Sequence, residues 1–198
     1  MRRLFLAIAA KDGLETVAPQ VIKKLKIHAE QKDIEVRWVP MDNYHITLVF
    51  LGNTYDEKIS EIETITERIA KNFAPFNLKI ADLGAFPNDF SSRVLWFGVQ
   101  NSKALRSLQD SLATELKHLR YKAEEQGFSP HLTIGRLRNP HKTKDMTSPF
   151  VRKKFAKIQI NEIVLYESVG SAPFQVYKPI KTFKLSGVPA SIEDSDFE

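Results

Sequence analysis

Residues 43–52 read NYHITLVFLG and residues 128–137 read FSPHLTIGRL. In an extended strand successive side chains point to opposite faces, so His45 and Thr47 share one face while Ile46 and Leu48 take the other. The same alternation sets His131 and Thr133 against Leu132 and Ile134. One such strand decides little, because a half-buried strand often carries a satisfied histidine. Two copies, HITL at 45–48 and HLTI at 131–134 with an offset of 86 residues, decide more.

The recurrence extends to the flanks. The strands LFLAI (4–8) and VLWFG (94–98) each precede a helix, and each helix leads through a short extended segment into its H-x-T strand. A duplicated strand–helix–strand unit commonly builds two lobes about an approximate two-fold axis, which brings equivalent strands together across a groove. The expected fold is therefore α+β: two pseudo-symmetric lobes, each an antiparallel sheet backed by helices, with His45 facing His131 across a central groove.

Working outward, the pattern predicts a strand over Arg3–Ala9 and an amphipathic helix near Gly13–Gln31, with Leu14, Val17, Val21, Ile22, Leu25 and Ile27 on its apolar side. VRWVP leads extended into the first histidine strand. DEKISEIETITERIAKNF spaces Ile59, Ile62, Ile65 and Ile69 as one helical face behind an acidic turn, and Pro75 ends it. Strands follow over Phe76–Phe86 and Arg93–Val99, joined by a turn at Pro87-Asn88-Asp89. A helix is expected over Lys103–Leu119, with Leu105, Leu108, Leu112, Leu116 and Leu119 along one side, then the second histidine strand, a polar loop NPHKTKDMTSP, a basic helix around Phe150–Ala156, and strands over Lys157–Glu167 and Tyr177–Leu185.

Composition bounds the chemistry. The chain has 198 residues, 42% hydrophobic and 27% charged, enough to bury a real core in one domain or two small lobes sharing a body. The absence of cysteine removes disulfides, thiolate metal sites and a cysteine nucleophile, and suits a reducing compartment. The start, MRRLFLAIAA, looks like a shortened secretory signal, but its apolar part is too short and Lys11-Asp12 follow at once. No apolar run approaches membrane-spanning length, so a cytoplasmic protein is expected. Formal charge is +5, yet four of the acids sit in the last nine residues, ASIEDSDFE, so residues 1–189 carry +9. A positive body favours a polyanionic partner, nucleic acid first. Residues 1–189 are read as one two-lobed domain and 190–198 as a flexible acidic tail.

The motif segments, together with RWVPMDNYHITLVFLG (37–52), FPNDFSSRVLWFGV (86–99) and IVLYES (163–168) followed by Tyr177, resemble the two-histidine phosphoesterase superfamily, which is marked by paired H-x-T-x motifs. Within it the chain is similar to the RNA 2′,3′-cyclic phosphodiesterases, long called 2′-5′ RNA ligases. The similarity runs over nearly the whole chain. It departs at Ser171–Gln175, where many relatives have a glycine, and in the acidic tail. The resemblance implies His45 as proton donor to the leaving 3′ oxygen and His131 as proton acceptor from water, giving a 2′-phosphate. It also implies RNA with 2′,3′-cyclic phosphate ends, tRNA fragments among them, as the partner; the scheme requires no metal or other cofactor, and the oligomeric state is left open by the sequence, with a monomer expected.

The residue types suit that chemistry. Opening a cyclic phosphate requires one proton taken from water and one delivered to the departing oxygen. Imidazoles, with an unperturbed pKa near ~6.5, serve both tasks around neutral pH. Thr47 and Thr133 can donate hydroxyl hydrogen bonds to the non-bridging oxygens. Arg136 stands where many relatives carry an arginine; strict alternation from His131 would point it to the opposite face, and a bulge at Gly135 would re-aim it.

Arg37, Trp38, Phe50, Phe128 and Tyr177 flank the motifs as candidates for RNA phosphate or base contact, although Phe50 fits core packing better because its strand is otherwise buried. The run Arg152-Lys153-Lys154 suits either RNA phosphates or a solvated face. His28, His118 and His141 read as ordinary surface or boundary residues. A zinc site is disfavoured because a typical one needs three or four protein ligands, and none recurs beside the histidines. Three functions stay open: the RNA end-processing phosphodiesterase, a related enzyme acting on a small cyclic phosphate or cyclic nucleotide, and a non-catalytic RNA-binding module. Two titrating groups exceed what binding alone needs.

Overall fold

The computed structural model describes residues 1–119, 127–170 and 175–188. The expected acidic tail at 190–198 and most of the Ser171–Gln175 departure lie outside the described residues. The strands are β1 (Arg2–Ala9), β2 (Val36–Trp38), β3 (His45–Thr54), β4 (Phe76–Phe86), β5 (Ser92–Val99), β6 (His131–His141), β7 (Lys154–Ile160), β8 (Glu162–Val169) and β9 (Val176–Lys184). Among the described residues four helices accompany them: α1 (Val17–Gln31), α2 (Ile59–Ala70), α3 (Lys103–Leu116) and the short α4 (Lys144–Thr147).

All strand pairing is antiparallel, in the order β7-β4-β5-β6-β3-β1-β8-β9, with β2 also on β6. The two expected half-sheets are present as β7-β4-β5-β6 and β3-β1-β8-β9. Among the described residues they meet through a single pair, Ile46 opposite Leu132. Both of those side chains are fully buried. The central strand β1 buries Leu4 to Ile8 without a break, as a strand covered on both faces must.

The helices cross over between halves. α3, which follows β5, packs on β3 and α2, while α2 packs on β8 and β9. Leu105, Leu108, Leu112 and Leu116 form the buried stripe of α3, the leucine face expected from the sequence. Ser102 caps that helix by accepting from the Leu105 N–H.

Three expectations shift. α1 begins at Val17 rather than Gly13, because Gly13 adopts φ +84 and starts a turn, and Ile27 is exposed. The helix expected around Phe150–Ala156 is absent: α4 and a 3₁₀ turn at Ser148–Phe150 lie within and just after the polar loop, and Lys154–Ile160 is strand β7. There Ile158 and Ile160 alternate with exposed Lys157 and Gln159, a period of two that answers the exposed edge of β4. The strand expected over Lys157–Glu167 is in fact two, split at Asn161 into β7 and β8. Among the described residues no helix is long and apolar enough to cross a membrane.

Candidate active site

His45 opens β3 and His131 opens β6. Nδ1 of His45 lies 2.7 Å from the Asn43 carbonyl oxygen, and Nδ1 of His131 lies 2.8 Å from that of Ser129. A carbonyl only accepts, so in each ring Nδ1 carries the proton and Nε2 is left as the other polar atom of the ring. The same carbonyl, two residues upstream, fixes the same tautomer in both halves.

The Ile46–Leu132 pair fixes the rest. Antiparallel pairing about it sets His45 beside Thr133 and Thr47 beside His131. The histidines are then diagonal neighbours across that pair, near enough for the charge of His131 to act on His45, and both line one cleft.

One irregularity is repeated in each half. Along β5, Trp96 pairs with Thr133 but Leu95 pairs with Gly135, so Ile134 is an extra residue in β6. Along β1, Ala7 pairs with Thr47 but Leu6 pairs with Val49, so Leu48 is extra in β3. A bulge reverses the alternation beyond it. Arg136 therefore returns to the face of His131 and Thr133, and Phe50 joins His45 and Thr47 instead of entering the core. Phe50 is 42% exposed, which corrects the expectation of core packing. Gly135 is required beside the bulge for a packing reason: a Cβ there would stand 2.8 Å from Val36 Cγ1 and 3.2 Å from the Trp38 ring.

The result is a cleft of about 230 Å³ lined by His45, Thr47, His131, Thr133 and Arg136, with Phe50 and Tyr177 on its walls. Its lining also includes Arg3, Phe5, Ser168 and Gln175, which sequence reasoning missed. Arg3 and Phe5 alternate on β1 toward the cleft, but that face is assigned only once β1 is known to lie beside β3. The Arg3 guanidinium sits over the Phe50 ring at 5.2 Å. His45 is packed by Phe5 at 5.1 Å and edge-on by Tyr177 at 5.0 Å, while Phe86 packs edge-on against His131 at 4.9 Å. Burial holds the His45 pKa below its ordinary value; its bond to Asn43 opposes this, and the nearby charges of His131 and Arg136 add to the lowering.

Arg37 stands directly opposite Arg136 in the β2–β6 ladder. Among the described ion pairs neither arginine has a carboxylate partner. Like charges facing each other across a ladder are destabilising, and an anion between them would relieve the repulsion. Trp38 lies instead beside Val36 over Gly135, and Phe128 lines a neighbouring cavity rather than the cleft. His28, His118 and His141 are all outside the cleft, His118 paired with Glu61 at 3.1 Å. Among the described residues no three His, Cys, Asp or Glu side chains gather as metal ligands.

Two imidazoles with free Nε2 atoms, two hydroxyls and a guanidinium around one cleft make up an acid–base site suited to an anionic ester. The profile of the 2′-5′ RNA ligase superfamily matches residues 13–172, and the chain belongs to that family. It is 31% identical to the RNA 2′,3′-cyclic phosphodiesterase of Archaeoglobus fulgidus over 92% of this chain and 99% of that one. To the enzyme of the same name from Thermotoga maritima it is 30% identical, over 93% and 96%. Among solved structures, the TT0787 protein of Thermus thermophilus superposes with a TM-score of 0.75 at 24% identity, covering 93% of this chain and 98% of that one. E. coli LigT complexed with 3′-AMP gives a TM-score of 0.67 at 24% identity over the same shares. These likenesses carry the two-lobed α+β fold.

Proposed function

We propose that this chain hydrolyses 2′,3′-cyclic phosphate ends of RNA to 2′-phosphomonoesters, with tRNA fragments among its substrates. The observation that carries the reading is the pairing of Ile46 with Leu132, beside which both histidines and both threonines line one cleft. The names of the curated relatives point to the cyclic end, and the basic body of residues 1–189 favours RNA over a small cyclic nucleotide.

His131 Nε2 takes a proton from the attacking water while His45 Nε2 delivers one to the departing 3′ oxygen. Burial, more than the charges of His131 and Arg136, depresses the His45 pKa and makes its imidazolium a stronger acid toward that oxygen, while an incoming anion favours the protonated ring and opposes the depression. Thr47 and Thr133 donate to the non-bridging oxygens, and Arg136 balances the equatorial charge. With a 5′-hydroxyl in place of water as the nucleophile, the same proton transfers join a cyclic end to that strand through a 2′-5′ linkage. Both histidines come from one chain, so a monomer in the cytoplasm suffices, and no metal or other cofactor enters these steps.

The test is turnover of an RNA ending in a 2′,3′-cyclic phosphate, and of 2′,3′-cyclic AMP, with chelator present. His45→Ala and His131→Ala should each lower kcat by roughly 10²–10⁴. Turnover of the mononucleotide alone would assign the chain to small cyclic phosphates, and turnover of neither would make it a binding module.

A further inference from the structure

A second cavity, of about 250 Å³, adjoins the cleft and shares Thr47, Phe50 and His131 with it. It lies where β3 and the segment before β6 diverge beyond their one bridging pair, and α3 forms its wall with Gln109, Asp110, Ala113 and Thr114. Phe128 and Ser129 stand opposite. His131 is common to both chambers; His45 borders only the cleft.

We infer that this second chamber seats the nucleoside that carries an attacking 5′-hydroxyl, so that the protein has a dedicated acceptor site for 2′-5′ joining; this rests on the reading of His131 as base. Three observations support it. The chamber opens on the histidine that receives the nucleophile's proton and not on the one that serves the leaving group. It is about as large as the cleft, enough for a second unit of similar size. Its charge is also of opposite character: the cleft carries Arg3 and Arg136, whereas the described lining of the second chamber has no Lys or Arg and includes Asp110. A carboxylate there repels a 5′-phosphate and can accept hydrogen bonds from ribose hydroxyls or an exocyclic amine, while Phe50 and Phe128 offer rings to a base. The chamber thus favours an unphosphorylated 5′ end, the only end that can attack.

The step balances as a transesterification. The 5′ oxygen bonds to phosphorus and its proton passes to His131; the bond from phosphorus to the 3′ oxygen breaks, and that oxygen takes a proton from His45. Water attacking phosphorus in place of the 5′ oxygen gives hydrolysis, and it needs no seat in the chamber.

The experiment supplies one RNA ending in a 2′,3′-cyclic phosphate and a second beginning with a 5′-hydroxyl, and measures ligated against hydrolysed product. Ala113→Trp, which fills the chamber from α3, should lower that ratio at least tenfold with hydrolysis of the cyclic end retained. Asp110→Lys, a change on an exposed helix position, covers the event that the first variant misfolds. It should turn a 5′-phosphorylated RNA from a poor competitor of the 5′-hydroxyl strand into an effective one. Parallel loss of ligation and hydrolysis in a folded Ala113→Trp protein, an unchanged ratio, unchanged competition in Asp110→Lys, or no joining by the parent protein at millimolar acceptor would each overturn the inference. Failure of the parent protein to hydrolyse the cyclic end at all would instead remove the function on which it rests.

Discussion

Burial biases His45 toward its neutral form in the free protein. Burial lowers its pKa from the ordinary 6.5, so below that pH the unfolded chain binds a proton more readily than the folded one. Stability from this group is complete above about pH 6.5 and is lost as pH falls toward the lower folded value, where the loss levels off. Thermal melts of the parent and of His45→Gln from pH 8 to 5 should therefore diverge, the parent losing Tm faster on acidification. Parallel curves would contradict the sign of the shift. Arg37 makes a second, opposite case, because it faces Arg136 and, among the described ion pairs, neither has an acid partner. Arg37→Ala should leave stability unchanged or raise it by about 0.2–1 kcal/mol, yet raise KM for RNA, a combination that a merely structural arginine would not give.

The two bulges show how a strand can carry more chemistry than alternation allows. Leu48 and Ile134 are extra residues at equivalent places, each just after the threonine. Each returns the residue three beyond that threonine to the cleft: Phe50 in one half, Arg136 in the other. The halves share a scaffold but offer different groups at the matched position, an aromatic ring under Arg3 on one side and a bare guanidinium on the other. Gly135→Val tests the packing that keeps β2 against β6. Its Cβ would press on Val36 and Trp38, so about 1–3 kcal/mol of stability should be lost by denaturant titration. kcat/KM should fall beyond what the folded fraction explains, because Arg37 and Arg136 move with those strands.

Among the described residues one pair, Ile46 with Leu132, joins the two half-sheets directly, and the β2–β6 ladder ties the segment before β3 to the other half. Ile46→Ala should cost about 2–5 kcal/mol, as truncation of a fully buried side chain does. Under conditions where the variant stays folded it should still lose activity, because the two histidines are then held by a looser junction. Full activity in a destabilised but folded variant would show that the β2–β6 ladder and the helices keep the halves aligned without it. Charge acts over the same distances. If RNA binds along the basic body, the logarithm of kcat/KM should fall more steeply with the logarithm of salt concentration for an RNA than for 2′,3′-cyclic AMP. Equal slopes would confine recognition to the terminal phosphate.

Much of this was legible before any coordinates. β4 spans the residues its alternation predicted, Phe76–Phe86, and the leucine spacing of α3 fixed its buried face. The duplicated H-x-T strands carried the two-lobed plan, because side-chain period and motif spacing are local properties of the chain. The misread helix at Phe150–Ala156 failed for the converse reason: a basic run is compatible with a helix until the open edge of β4 recruits it as a strand. The cleft roles of Arg3, Phe5 and Phe50 and the re-aiming of Arg136 depended on which strand lies beside which and on where the register slips by one residue. Residue order sets which way a side chain can alternate, but only pairing with a neighbouring strand, through backbone hydrogen bonds between distant segments, decides which face it finally joins.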